Sequence, residues 1–77
     1  MKTEWKKFVS PDPKVMLGKP VIKGTRITVE LILEKLAEGE SLEQIIESHP
    51  LISKKAIYAC ISFAKDSVKN ETAYSLA

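Results

Sequence analysis

The most informative stretch of this chain is a run of ten residues, 18–27. It holds two glycines, a proline, an adjacent Val–Ile pair and three cationic side chains. Gly24 is expected at a positive φ, which glycine adopts without steric cost, and backbone N–H groups around Gly24 and Thr25 could form a small anion nest. Because an amphipathic pattern follows at once, we predict a rigid, positively charged turn fixed to the start of a helix. A phosphate backbone or an acidic protein surface would suit such a turn.

The first helix is predicted to begin after Thr28, whose hydroxyl can cap it. Gly39 supplies a left-handed stop at its end. Apolar side chains recur at intervals of three and four residues and predict one buried stripe, formed by Val29, Ile32, Leu33, Leu36 and Ala37. Leu31 falls off this stripe and is expected to face a partner or the N-terminal strands.

The second helix is predicted to be short, from Leu42 to about Ser48. Ser41 and Gln44 have the spacing of a capping box, in which each side chain bonds the backbone N–H of the other residue. A proline soon after the helix disfavours its continuation. The apolar pair Leu51–Ile52 is expected to fill the corner that leads to the third helix.

The third helix is predicted to begin after Ser53 and to fade after Asn70. Its predicted buried stripe comprises Ile57, Cys60, Ile61, Ala64 and Val68. The opposite face carries Lys54, Lys55, Tyr58, Ser62, Lys65 and Lys69.

The N-terminal part of the chain favours short extended segments. Trp5–Val9 reads as a short strand that meets the turn cluster Ser10–Pro13. We therefore predict a mainly α fold: a three-helix, helix-turn-helix-like (homeodomain-like) domain with a short N-terminal β-hairpin or extended segment. Residues 1–27 would carry the strands and the basic Gly/Pro loop, 28–70 the trihelical core and 71–77 a flexible tail, all within one domain.

Composition narrows the classes of function. With 77 residues, one Cys and one His, the chain offers no intrachain disulfide and no metal site, and we expect no cofactor. So small a core favours oligomerisation, and a homodimer is the expected form. No apolar run approaches a membrane span, and the start leads into charge rather than an apolar signal. The lone Cys suits a reducing compartment, so a cytoplasmic location is expected.

Charge is sharply segregated along the chain. Residues 1–27 carry seven Lys or Arg against two acidic residues, whereas residues 28–50 carry one Lys against six Glu. Residues 51–77 are again basic, with four Lys against two acidic residues. This pattern suggests faces with different partners, although the acidic and basic regions could simply neutralise one another within a monomer or dimer.

The trihelical plan suggests DNA binding through the third helix, because a helix-turn-helix places the start of its last helix at the base edges. The candidate DNA contacts there are Ser53, Lys54, Lys55, Tyr58 and Lys65, with Lys23 and Arg26 on phosphates. Lysines in a first turn oppose the helix dipole, which nearby phosphates would offset. Solvated lysines that only aid solubility, and an ion pair between Arg26 and Glu30 or another helix glutamate, are the structural alternatives.

No catalytic constellation is visible, so no enzymatic activity is expected. His49 beside a proline reads as a corner residue, and Cys60 as a small apolar residue of the buried stripe. Trp5 and Phe8 most simply anchor the N-terminal strand. They could also contact a dimer mate or partner, as could Leu31, since Trp is enriched at interface hot spots.

The chain resembles a known family in several segments. The run Gly18-Lys19-Pro20-Val21-Ile22-Lys23-Gly24-Thr25-Arg26-Ile27 is its most specific part, and Asp12-Pro13, Val29-Glu30, Leu36-Ala37-Glu38-Gly39, Ser41-Leu42-Glu43 and 59–64 extend it. These segments are similar to the family catalogued as domain of unknown function 433. The resemblance implies an antitoxin of a toxin–antitoxin pair, whose toxin is often a PIN-like ribonuclease, with possible operator binding as a dimer.

Two hypotheses follow. The first is a non-enzymatic, dimeric helix-turn-helix protein of the antitoxin type that binds a partner toxin and its own operator DNA. The toxin could meet the acidic second quarter of the chain or the tail from Asn70. The alternative is a protein–protein interaction module without DNA binding.

Overall fold

The computed structural model describes residues 4–11 and 18–70, with the backbone alone at Pro11 and Asn70. The predicted flexible tail, 71–77, lies outside the described residues, as does the Asp12–Pro13 part of the predicted turn. The description therefore covers the predicted trihelical core and most of the N-terminal strands.

Two short strands lie near the N-terminal end of the part of the chain that the structure describes. Strand β1 (Val9–Pro11) pairs antiparallel with strand β2 (Pro20–Ile22), and Val9 lies opposite Ile22. Trp5–Lys7 forms a 3-10 turn rather than the start of a strand, so the predicted strand Trp5–Val9 is wrong over most of its length. The turn forms because the N–H groups of Lys7 and Phe8 donate to the carbonyl groups of Glu4 and Trp5.

In the described ranges, three helices follow the strands: α1 (Val29–Ala37), α2 (Leu42–Ser48) and α3 (Lys54–Asn70). The mainly α architecture with a short N-terminal hairpin is thus confirmed. The bounds of α2 agree with the prediction. A five-residue connection, 49–53, separates α2 from α3.

Hydroxyl side chains cap all three helices, as predicted. The Thr28 Oγ1 atom accepts from the Leu31 N–H at 3.0 Å. Ser41 and Gln44 form the complete capping box, with hydrogen bonds of 3.1 and 2.8 Å. Ser53 Oγ accepts from the Ala56 N–H at 3.1 Å, and Gly39 ends α1 at φ 94°. Each cap satisfies one N–H group that a helix start leaves without an intrahelical partner.

One hydrophobic core joins the strands to the helices. Its buried members are Val9, Ile22, Val29, Ile32, Ile45, Ile52, Ala56, Ile57, Ala59 and Cys60. Half-buried apolar side chains from the N-terminal turn and from all three helices pack around it. Ala37 and Leu51 were predicted to be buried, but both are exposed, and Leu51 is 82% accessible. Of the predicted pair, Ile52 is buried in the connection between α2 and α3, whereas Leu51 is not.

The buried side of α3 differs from the predicted stripe. Ile57 and Cys60 are buried as expected, but Ile61 and Val68 are 40% and 70% exposed. The buried arc instead includes Ala56 and Ala59, and Phe63 packs against the core. Small side chains allow the close approach of neighbouring elements, so the helix turns this arc inward. The larger aliphatic residues Ile61 and Val68 are left on the solvent side.

Candidate nucleic-acid interface

The turn between β2 and α1 is closed by the Thr25 side chain and by a backbone hydrogen bond. Gly24 has φ 80°, as predicted. Thr25 Oγ1 donates to the Ile22 carbonyl at 2.8 Å and accepts from the Ile27 N–H at 3.0 Å. The Ile22 N–H donates to the Ile27 carbonyl at 2.9 Å. The glycine-containing run is therefore an architectural element that ties the sheet to α1.

The cationic residues of this turn project to solvent. Lys23 and Arg26 are both exposed, and the Lys23 N–H donates to the Phe8 carbonyl at 2.8 Å, which fixes the turn to the N-terminal segment. The Lys19 Nζ atom lies 3.2 Å from Glu30 Oε1. Glu30 therefore pairs with Lys19 and not with Arg26, for which it was a predicted partner.

Arg26 lines a shallow depression beside the start of α1. The other lining residues are Lys19, Thr28, Glu30, Leu31 and Glu34. Among the residues that the structure describes, no carboxylate forms an ion pair with Arg26. Its guanidinium group therefore keeps its donors available to a ligand. Two glutamates on the same depression offset part of the positive charge.

The first turn of α3 is the second cationic feature. Lys54 and Lys55 are exposed, and this turn contains no acidic residue. No acidic residue in the described part of the chain pairs with either lysine. Cations at a helix N-terminus oppose its dipole and cost ~0.3–1 kcal/mol each when exposed. The arrangement is one that a bound anion would stabilise.

Ser53 and Tyr58 extend this cationic turn. The Ser53 hydroxyl accepts the capping hydrogen bond from Ala56, and its own proton remains available to donate. Tyr58 is 47% exposed and lies four residues after Lys54, on the same face of the helix. Lys65 lies a further two turns along, where its Nζ atom is 3.2 Å from Asp66 Oδ1.

The structure thus divides the predicted DNA contacts between two elements. Helix α3 carries five of them on its exposed side: Ser53 at its cap, then Lys54, Lys55, Tyr58 and Lys65. Lys23 and Arg26 lie on the separate β2–α1 turn.

Trp5, Phe8 and Leu31 were predicted as dimer or partner contacts, and each is half-buried. The Trp5 ring meets the Phe63 ring edge-on, with centroids 4.8 Å apart. Its indole N–H donates to Asp66 Oδ2 at 2.8 Å. Internal packing thus accounts for Trp5, as the simpler interpretation of the sequence expected. A role of these residues at an interface stays a prediction.

The contacts of two residues, Asp66 and Lys19, were not predicted from the sequence. Asp66 ties the N-terminal turn to α3, and the Trp5 hydrogen bond, followed by that of Lys65, holds the pKa of its carboxyl group below the ordinary value of 3.8. Lys19 holds Glu30. Both contacts join residues that lie far apart in sequence, so no local pattern signals them.

Cys60 is inert in this arrangement. It is fully buried, and burial raises the pKa of its thiol to about 11. Because the thiolate is the reactive form, the neutral thiol acts as a core side chain. His49 is half-buried at the end of α2, where its backbone N–H donates to the Ile45 carbonyl at 2.9 Å.

Together these features define a small, mainly α domain with capped helices, a closed glycine turn and an exposed cationic start to its third helix. Residues 9–64 match the family described as "Protein of unknown function (DUF433)". The chain belongs to this family. The matched stretch runs from β1 into α3 and includes both cationic features.

A relative in Sinorhizobium fredii, called "Uncharacterized protein y4eO", is 28% identical over 60 residues. The match covers 78% of this chain but only 27% of that relative. No solved structure matches the chain. No helix in the described ranges combines the length and the apolar character needed to span a membrane.

Proposed function

We propose that this chain is a non-catalytic protein of the antitoxin type that binds operator DNA through α3 and also binds a partner toxin. The observation that carries the proposal is the first turn of α3. There two adjacent lysines are exposed, lack a described acidic partner and oppose the helix dipole. DNA phosphates would convert this unfavourable arrangement into a favourable one.

The order of the helices supports the same reading. A helix-turn-helix protein reads the major groove with the N-terminal residues of its second motif helix. Here α3 follows the short helix α2 and presents Lys54, Lys55 and Tyr58 at that position. Lys23 and Arg26 would contact phosphates from the β2–α1 turn. We propose a homodimer as the DNA-binding form, since paired half-sites are the usual target of such domains.

The partner toxin is proposed from charge and from the family resemblance. The acidic quarter of the chain, residues 28–50, presents exposed glutamates on α1, on α2 and just after α1. They are Glu30, Glu34, Glu38, Glu43 and Glu47. A basic nuclease groove would complement them, and the family resemblance suggests a PIN-like ribonuclease as the toxin. The cytoplasm is the corresponding location.

A gel-shift titration with the duplex upstream of the gene tests DNA binding. We expect the double variant Lys54→Glu/Lys55→Glu to abolish the shift. Lys6 and Lys7 form another adjacent, exposed pair, so Lys6→Glu/Lys7→Glu makes the same charge change elsewhere and should retain it. No shift by the folded wild-type protein at low salt would contradict the proposal.

A protein–protein interaction module without DNA binding is the second candidate. It is favoured by the apolar side chains on the solvent side of α3, of which Val68 is 70% exposed. Under this function the lysines would border a protein contact, and the wild-type protein would fail to bind duplex DNA.

A further inference from the structure

The exposed side of α3 carries a seam of side chains at coiled-coil spacing. Lys54, Tyr58, Ile61, Lys65 and Val68 follow one another at intervals of four, three, four and three residues. This is the alternation that keeps one helix in register with another along a shared seam. The three apolar members are 47%, 40% and 70% exposed, from Tyr58 to Val68.

The seam is not needed for the core. The buried arc of α3 lies on the other side, around Ala56, Ala59 and Cys60. Of the four exposed large apolar side chains in the described residues, three lie on this seam. An apolar row that the fold itself leaves open is typical of a surface that another protein covers.

Charge selects the kind of partner. The described part of α3 carries four lysines against the single carboxylate of Asp66, which already accepts from Trp5 and pairs with Lys65. Lys54, Lys55 and Lys69 have no ion pair with any described residue. A helix with glutamate or aspartate beside its apolar stripe would meet complementary charge along the whole seam.

A second copy of this chain suits the seam less well. Parallel pairing of α3 with another α3 brings the seam lysines close to one another, and antiparallel pairing still joins two helices that each carry four lysines against one carboxylate, which is unfavourable. Pairing α3 with the acidic face of α2 from another copy joins two different surfaces. Such a head-to-tail contact leaves one α3 seam and one acidic α2 face uncovered at the ends of the assembly unless the copies close into a ring.

We propose that the α3 seam is the docking site for an acidic amphipathic helix of a partner protein. The partner helix covers Tyr58, Ile61 and Val68 and pairs with the flanking lysines. Because Lys54, Tyr58 and Lys65 also belong to the DNA face, the bound helix excludes DNA from α3. This competition rests on the proposed function, whereas docking on the seam stands without it.

Amide chemical-shift mapping with two synthetic peptides tests the docking. Both peptides have leucine at the seam positions over about three heptads, long enough to form helix. One carries glutamate at the flanking positions and the other lysine. We expect the acidic peptide to shift the amide signals of Tyr58, Ile61 and Val68, and the basic peptide to leave them unchanged.

Two variants locate the site. Val68→Glu should weaken binding of the acidic peptide about tenfold or more, as loss of an interface anchor does. Ala37→Glu makes the same kind of change at an exposed position of α1 and should bind like wild type. The Trp5 indole signal, which reports the Trp5–Asp66 hydrogen bond, serves as the check that each variant is folded.

Three results would overturn the proposal. They are no shift with the acidic peptide, equal binding of the basic peptide, and a self-associated wild type that Val68→Glu converts to monomers. The last result would assign the seam to a second copy. If the wild-type protein fails to shift the DNA duplex but still binds the acidic peptide, the proposed function is contradicted and the docking proposal is not.

Discussion

At the scale of single residues, Gly24 and Thr25 decide the shape of the basic turn. Thr25 closes the turn through its hydroxyl group, which both donates and accepts. Gly24 supplies the positive φ that the closure requires. Together they leave Lys23 and Arg26 exposed on a rigid turn. The two charged side chains are therefore positioned by their uncharged neighbours.

Replacing Gly24 with alanine should destabilise the fold by ~1–2 kcal/mol, the cost of a left-handed L-residue. A Cβ atom at Gly24 would meet nothing within 4 Å, so the cost arises from the backbone conformation and not from a clash. Chemical denaturation measures the change in the free energy of unfolding. Gly24→Asn is the matched control and should cost less, because asparagine tolerates this conformation better. Equal stability of Gly24→Ala and wild type would contradict the role assigned to this glycine.

Residue-scale features were predictable where their cause is local. The hydroxyl caps of all three helices could be found from sequence because each bonds an N–H group three residues ahead. The Trp5–Asp66 hydrogen bond spans 61 positions, and no pattern around either residue reveals it. The Lys19–Glu30 pair was missed for the same reason.

At the scale of elements, the N-terminal 3-10 turn is held on α3 by one side chain. Trp5 packs edge-on against Phe63 and donates to Asp66. These contacts fix the side of α3 that faces the rest of the protein, and therefore the side that faces solvent. The predicted buried stripe of α3 is wrong at Ile61 and Val68 because the helix is apolar on two arcs. Periodicity does not say which arc meets the N-terminal turn.

The Trp5–Asp66 contact should make stability depend on pH in the acid range. The pKa of Asp66 is lowered in the folded protein, first by the Trp5 hydrogen bond and then by Lys65. The unfolded chain therefore binds more protons in this range. The stabilisation is complete above the ordinary value of 3.8 and is lost as the pH falls through the folded pKa.

Urea denaturation followed by Trp5 fluorescence, at neutral pH and below pH 3.8, measures this effect. Asp66→Asn keeps an oxygen acceptor for the indole but cannot titrate, so its stability should fall less on acidification than that of wild type. An equal fall in both proteins would show that Asp66 does not carry the dependence.

At the scale of the whole molecule, the charge segregation of the sequence becomes a segregation of elements. Five exposed glutamates lie on α1, on α2 or just after α1, whereas α3 carries three of the described lysines that have no ion pair. The clustering of charge by element could be predicted from sequence because charge follows chain order, whereas charged faces with different partners stay a prediction. The division of the predicted DNA contacts between α3 and the β2–α1 turn could not be predicted from sequence, since it depends on how the elements pack.

The proposed function requires that the first turn of α3 contacts nucleic-acid phosphates, and the salt dependence of DNA binding is the decisive measurement. For duplex DNA the logarithm of the binding constant falls linearly with the logarithm of salt concentration, by about 0.9 for each phosphate neutralised. We predict that Lys54→Ala/Lys55→Ala lowers the magnitude of this slope by about two, whereas Lys6→Ala/Lys7→Ala leaves it unchanged. Equal slopes for both double variants and wild type would show that Lys54 and Lys55 do not contact phosphates.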